Sequence, residues 1–237
     1  MAVQRLTLAN IITEILQISG FSTSDDAPWE TDAALIRKIN MTTQKIPQKV
    51  AAIMAAQRKD VEAGRCKISM WKSSASATAS SGSGNLVVSS GSATVELPDD
   101  YDHWISFYDT TEEKFFYPIV KTQQERFRRL MRKPNGPPEA IEIQGMGGSN
   151  WQRQARLLPA PPSGVTPAFD LDYYRHPAIM PGSDTSGEYP DTDYDFQYLW
   201  VLMPLLDILR VDDAAYSRYQ EQEKEMLLEL SATARAV

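Results

Sequence analysis

Cysteine and histidine are almost missing from this chain. Its 237 residues hold one cysteine, Cys66, and two histidines, His103 and His176. A single cysteine excludes an internal disulfide, and two histidines far apart in sequence leave a His/Cys metal site short of ligands. Cys66 alternates with Ile68 and Met70, which predicts a packed strand residue rather than a reactive thiol. Long apolar runs are missing too. The longest strongly apolar uncharged stretch, 196–206, has eleven residues, where a membrane span needs about 20. The apolar stretch at 6–18 is interrupted by Asn10, Thr13, Glu14 and Gln17, so no secretory leader is expected. The expectation is a soluble protein made in the cytoplasm, without a membrane partner.

Signatures of catalysis are equally scarce. Gly145-Met146-Gly147-Gly148-Ser149 is the nearest approach to a phosphate loop. It lacks a following Lys-Ser/Thr and leads into Trp151 and a strand rather than a helix N-terminus, so it reads as a turn. Asp102 beside His103 supplies two members of a triad, but no nucleophile elbow accompanies them. Asp99 and Asp100 follow Leu97-Pro98 and are more simply turn residues than paired acids. No enzyme activity and no cofactor are expected.

What is present is a hydrophobic fraction of 42%, enough for a sizeable core, and a segregated charge pattern behind a net of −7. Residues 37–72 carry nine Lys/Arg against Asp60 and Glu62, a net of +7. Residues 121–156 carry eight bases against Glu125, Glu139 and Glu142, a net of +5. Residues 190–237 carry ten acids against four bases, a net of −6. Such blocks are either ordinary solvated faces or complementary surfaces of neighbouring subunits. Arg126, Arg128, Arg129, Arg132 and Lys133 flank Phe127 and can meet phosphates, yet a pI near 5.0 and the lack of a helix-turn-helix or zinc pattern argue against sequence-specific DNA binding.

Along the chain, Leu8, Ile11, Ile12, Ile15 and Ile18 step by threes and fours and predict an amphipathic helix ended by Gly20. A second helix opens at Thr31 or Asp32 with a stripe through Leu35, Ile39, Ile46, Val50, Ile53 and Met54, kinked or broken at Pro47. Strands are predicted at 66–70, 86–88 and 93–97, the last two joined by a turn at Ser89-Ser90-Gly91. The uncharged segment 73–85, with no large apolar side chain until Leu86, reads as a flexible loop. Trp104–Tyr108 and 115–120 are extended aromatic stretches. Thr122 and Glu125 match a capping box for a short helix to about Met131. Strands follow at Ile141–Ile143, Arg156–Leu158 and 168–175, where Phe169, Leu171 and Tyr173 alternate with Asp170 and Asp172. The last quarter predicts a helix capped by Thr192 or Asp193 and apolar nearly all round, with Leu202 and Leu206 central, then a charged helix from about Asp212 to Leu230.

The fold class expected is α+β: a helical bundle built from N- and C-terminal helices with an inserted antiparallel β-rich subdomain. Its parts are 1–64, 65–190 with the short helix at 122–131, and 191–237. Taken in order, the helix ending at Gly20, the helix through Ile36, Ile39 and Asn40, the Leu97-Pro98-Asp99-Asp100-Tyr101 segment, the Tyr173-Tyr174-Arg175-His176-Pro177 strand end and the terminal helices resemble the adaptor, or head–tail connector, proteins of tailed bacteriophages. The resemblance implies a structural virion protein of the neck, made in the host cytoplasm. It implies a ring of twelve copies that joins the portal protein to a tail, nozzle or stopper protein and lines a channel for non-specific passage of double-stranded DNA. Candidate assembly contacts are Arg126, Arg129, Arg132, Asp212, Asp213, Ser231 and Val237. The acidic C-terminal end, loose over residues 231–237, is expected at the portal. The alternative is a nucleic-acid-binding packaging factor resembling small terminase subunits, with an uncharacterised hydrolase a distant third.

Overall fold

A computed structural model describes residues 5–21, 32–57, 69–78, 85–119, 123–147, 152–209 and 214–233. The chain divides into two compact units, Met1–Trp71 with His176–Val237, and Lys72–Arg175. The segment from His176 to Pro190, grouped with the strands in the expected part 65–190, therefore belongs with the helices.

In the first unit, helix α1 (Leu8–Ser19) buries Leu8, Ile11 and Ile15 on one face, and Gly20 closes it at φ 79°. The left-handed backbone there is open to glycine at no steric cost. Thr7 caps the other end, its Oγ1 accepting from Asn10 N at 3.1 Å. Two further amides of the first turn donate to a loop: Leu8 N to Glu188 O and Ala9 N to Thr185 O. Helix α2 (Asp32–Asn40) and helix α3 (Thr42–Gln57) carry the expected apolar stripe, with Ile39, Ile46 and Val50 fully buried. The break falls at Met41 and not at Pro47, which lies inside α3. Thr43 Oγ1 donates to the carbonyl of Asn40, while Gln44 N and Lys45 N both donate to Met41 O. These bonds end α2 and start α3, so Pro47 forfeits one backbone bond in a helix already held by its buried face.

Helix α4 (Gln124–Met131) belongs to the second unit. Helix α5 (Leu199–Leu206) buries every residue from Leu199 to Leu205, and helix α6 (Tyr216–Thr233) packs beside it. The fold class differs from the expected one. The chain is mixed α/β, with a curled eight-stranded sheet as a large part of it, and the helices at the two ends do not form a helical bundle. Apolarity on all sides of α5 suggested the axis of a bundle. With eight residues it is only about 12 Å long. It works as a short hub touched by α1, α2, α3 and α6.

The return segment is tied to this unit by side chains that imitate backbone. Asn40 Nδ2 donates to Met180 O at 2.6 Å, and Met180 N donates to Asn40 Oδ1 at 2.9 Å. Asp191 accepts from Ala178 N at 2.7 Å, and Trp71 Nε1 donates to the Asp191 carbonyl at 2.9 Å. Gly182, at φ 82°, lies so close to α2 that a Cβ would sit 3.1 Å from Ile36 Cδ1.

In the second unit the strands are β1 (Lys72–Thr78), β2 (Leu86–Val88), β3 (Thr94–Glu96), β4 (Tyr101–Asp109), β5 (Lys114–Phe115), β6 (Ala140–Gly147), β7 (Gln152–Leu158) and β8 (Phe169–Arg175). They form one sheet in the order β5-β4-β8-β1-β2-β3-β7-β6. Residues 73–78, expected to be a flexible loop, are strand β1 at the middle of the sheet, antiparallel to β8 and parallel to β2. Its small side chains bury little by themselves. Ala75 lies opposite Leu171, between its neighbours Ser74 opposite Asp172 and Ser76 opposite Asp170, and the inner face is filled by β8's Phe169, Leu171 and Tyr173. Cys66 and Ile68 lie outside the described residues, and Met70 sits in a 3-10 turn at Ser69–Trp71.

Two of the segments named in the resemblance are joined in the sheet: β4, which opens at Tyr101, and β8, which ends at Arg175, run antiparallel, Tyr101 opposite Arg175 and Trp104 opposite Tyr173, with two bulges in β4. Beyond β5 the chain crosses to the far edge of the sheet. Phe116 N donates to Phe107 O, and Ile119 N donates to Ile141 O on β6.

Two outcomes follow for the helical unit. Leu202 is fully buried, while Leu206 is half-buried beside an open cleft. Leu202→Ala should cost about 2–5 kcal/mol and Leu206→Ala distinctly less. Urea melts compare them, and equal losses would place both in the core. The second outcome concerns acid. Asp184 is held below the ordinary 3.8 by the Ser186 hydroxyl and the Gly187 N–H. Burial pushes Glu188 up, but the N–H groups of Gly182 and Asp184, with Ser183, draw it below 4.5. Carboxyls depressed in the folded chain stabilise it above their unfolded pKa, and that stabilisation is lost as pH falls through the folded values. Amide protection factors at Leu8 and Ala9, which bond to this loop, should therefore drop below about pH 4 before those of Ile15. Simultaneous loss would mean that the loop is not what opens.

Candidate assembly surfaces

Helix α4 is held to the sheet unit through Leu130, which is buried with Ala140 and Leu158 and flanked by Ile119. Glu125 stands in its first turn and Arg128 and Arg129 in its last, the arrangement the helix dipole favours. Thr122 of the expected capping box lies outside the described residues, and Gln123 at the N-cap makes no side-chain cap bond. Arg126, Arg128, Arg129 and Arg132 are all exposed. No described carboxylate of the unit is in ion-pair range of any of them, whereas Lys133 pairs with Glu139. Three of the expected contacts, Arg126, Arg129 and Arg132, are thus brought to one short surface helix, and Met131 is left 40% exposed among them.

Helix α6 supplies the opposite sign. Its inner face buries Leu227, Leu230, Ser231 and Glu223, the last accepting from Lys49 Nζ at 2.6 Å. Its outer face exposes Glu221, Glu225 and Glu229 at four-residue steps, with Leu228 38% exposed beside them. No described cation of the helical unit pairs with those three carboxylates. Ser231 does not belong to this surface. It is 1% exposed and its Oγ donates to Leu228 O at 2.7 Å. The helix continues to Thr233, so no loose tail begins at Ser231. Asp212, Asp213 and Val237 lie outside the described residues.

Between α3 and α6 runs a cleft of about 480 Å³ with an apolar floor of Ala52, Ile53 and Leu227 and a rim of Lys49, Lys224 and Glu221. Its described lining holds no histidine, serine or cysteine. Of the residues considered for catalysis, Asp100, Asp102 and His103 contact neighbouring side chains. His103 Nδ1 lies 2.8 Å from Asp102 Oδ2, its ring stacks on Tyr174 at 4.6 Å, and its buried Nε2 meets no hydrogen-bond partner among the described residues. Asp100 accepts from the Tyr173 hydroxyl at 2.9 Å. Burial foremost, with Asp100 assisting, pushes that hydroxyl up to about 12. Gly145–Gly147 form the end of strand β6, and Gly148 and Ser149 lie outside the described residues. No group of three metal-ligating side chains occurs among the described residues, and no described helix is long and apolar enough to cross a membrane.

The sequence reading missed an aromatic patch at the β4–β5 edge. Phe115 and Tyr117 are 57% and 59% exposed, Tyr108 meets Phe115 at 5.0 Å and Trp104 meets Tyr117 at 6.4 Å. Alternation around buried Phe116 was its one signal. No protein-family model matches the chain, and no curated protein matches it.

Because Arg126 and Arg132 make no described ion pair, Arg126→Ala and Arg132→Ala should each change stability by less than about 0.5 kcal/mol. Leu130→Ala should cost about 2 kcal/mol or more. Denaturant midpoints test this. A large loss at either arginine would make it a structural residue rather than a surface one.

Proposed function

We propose that this chain is a ring-forming adaptor of a tailed-bacteriophage neck, joining the portal to the tail or a stopper and lining the channel through which DNA passes. The observation that carries the reading is that the residues bearing the resemblance meet instead of lying scattered. Asp100 and Tyr101 pack on Tyr173, with the two tyrosine rings 5.9 Å apart, and Asn40 holds Met180, just beyond His176-Pro177. Exposed ridges of opposite charge on α4 and α6 are added support, since a head-to-tail ring joins two different surfaces of the same chain.

Purified protein mixed with portal-bearing, neckless heads should co-sediment at a fixed ratio near twelve per particle, the copy number the resemblance implies. A chain ending at Thr233, which drops only residues 234–237, should melt like the full chain but attach less well, because the end of the chain is the part proposed to reach the portal. Failure of the full chain to attach, together with filter retention of DNA that falls steeply with salt, would favour the packaging-factor reading instead.

A further inference from the structure

We propose that copies of this chain associate head to tail through α4 of one copy and α6 of the next, with Met131 seated against Leu228, and Arg128 and Arg132 paired with Glu225 and Glu229. The contact rests on the ring reading above and names its subunit interface. Both helices carry one spacing with the charge inverted: Arg128-x-x-Met131-Arg132 and Glu225-x-x-Leu228-Glu229. In each, two like charges stand one turn apart, about 6 Å along the axis, on the side away from the buried residues Leu130 or Leu227. Each places an exposed apolar side chain beside that ridge.

Taken singly, either helix is poorly resolved chemistry. Like charges one turn apart repel, and the apolar side chain is left in water. Brought together, the two faces remove both defects, forming an apolar centre framed by ion pairs that shield it from solvent. Because the two faces belong to different helices of one chain, the contact is heterologous and propagates from copy to copy until rotation closes a ring. DNA on the arginines would leave Met131 and the whole α6 ridge without a partner, so the second copy is the better occupant. One short helix against part of another buries far less than the roughly 800 Å² per partner of a standard interface. The free protein therefore stays largely monomeric, and the contact fills when subunits are gathered at high local concentration.

The test is oxidative crosslinking, at high protein concentration where a disulfide traps transient contacts, of the full chain carrying Cys66→Ser, Met131→Cys and Leu228→Cys. Head-to-tail contact gives a ladder of dimers, trimers and higher species on a non-reducing gel, whereas either single cysteine stops at dimers. Adding Arg128→Glu and Arg132→Glu should abolish the ladder, and combining them with Glu225→Arg and Glu229→Arg should restore it. Arg132→Cys with Glu229→Cys provides a second bridge should the first variant fold poorly. No ladder from either bridge, a bridge closed within one chain at monomer mass, or a ladder indifferent to charge reversal overturns the contact. So does loss of DNA retention on reversing the arginines when no ladder forms. Absence of the ladder with attachment to heads intact removes this interface and spares the adaptor reading. A ladder without attachment does the opposite.

Discussion

The carboxamide of Asn40 is the interaction on which the helical unit depends. That unit is made from two stretches of chain, and Asn40 joins residues 140 positions apart by donating to and accepting from the backbone of Met180. An amide side chain has one donor side and one acceptor side, as a peptide group has, so it can stand in for a strand partner where no strand exists. Fixing Met180 seats its side chain in the helical core and brings Gly182 against Ile36. The loop that follows then reaches the first turn of α1 through Glu188 and Thr185. Local pairing, core packing and helix capping are links of one chain that starts at a single polar residue.

The sheet unit meets a different constraint, its edges. An open edge strand is a template for unwanted pairing. Strand β5 has two residues, and the chain after it bonds first to β4 and then to β6. The two outermost long strands therefore share one neighbour. The inner face is sealed by aromatic rings, Phe107 stacked on Phe116 at 5.9 Å and Phe169 edge-on to Phe116 at 5.7 Å. Bulges in β4 bend the strand that carries Phe107.

Much of this was legible where the signal is local. The Leu8-Ile11-Ile15 spacing with Gly20 is a helix and its end written in one short window, and the alternation through Phe169, Leu171 and Tyr173 is a strand. Strand β1 was hidden because serine and alanine carry no period of their own, and their burial is set by the residues of β8 opposite. Pro47 misled because Thr43 and Met41 had already ended the previous helix. Ser231 looked like the start of a small, loose tail, yet its hydroxyl is satisfied inside a helix turn. Of the assembly surface, the arginines of α4 were readable as charge. Met131 and Leu228 were not, since an exposed apolar residue and a core one look alike in sequence until the buried face of each helix is known.

Strands β1 and β8 begin and end the sheet unit, and Lys72 lies opposite Tyr174 in their ladder. The unit's two ends are thus held side by side, so its host has only a short gap to bridge. Closure entropy grows slowly with the length between fixed ends, which makes this unit a cassette. Strands and turns can be gained, lost or exchanged inside it without re-registering a single residue of the helices that carry it.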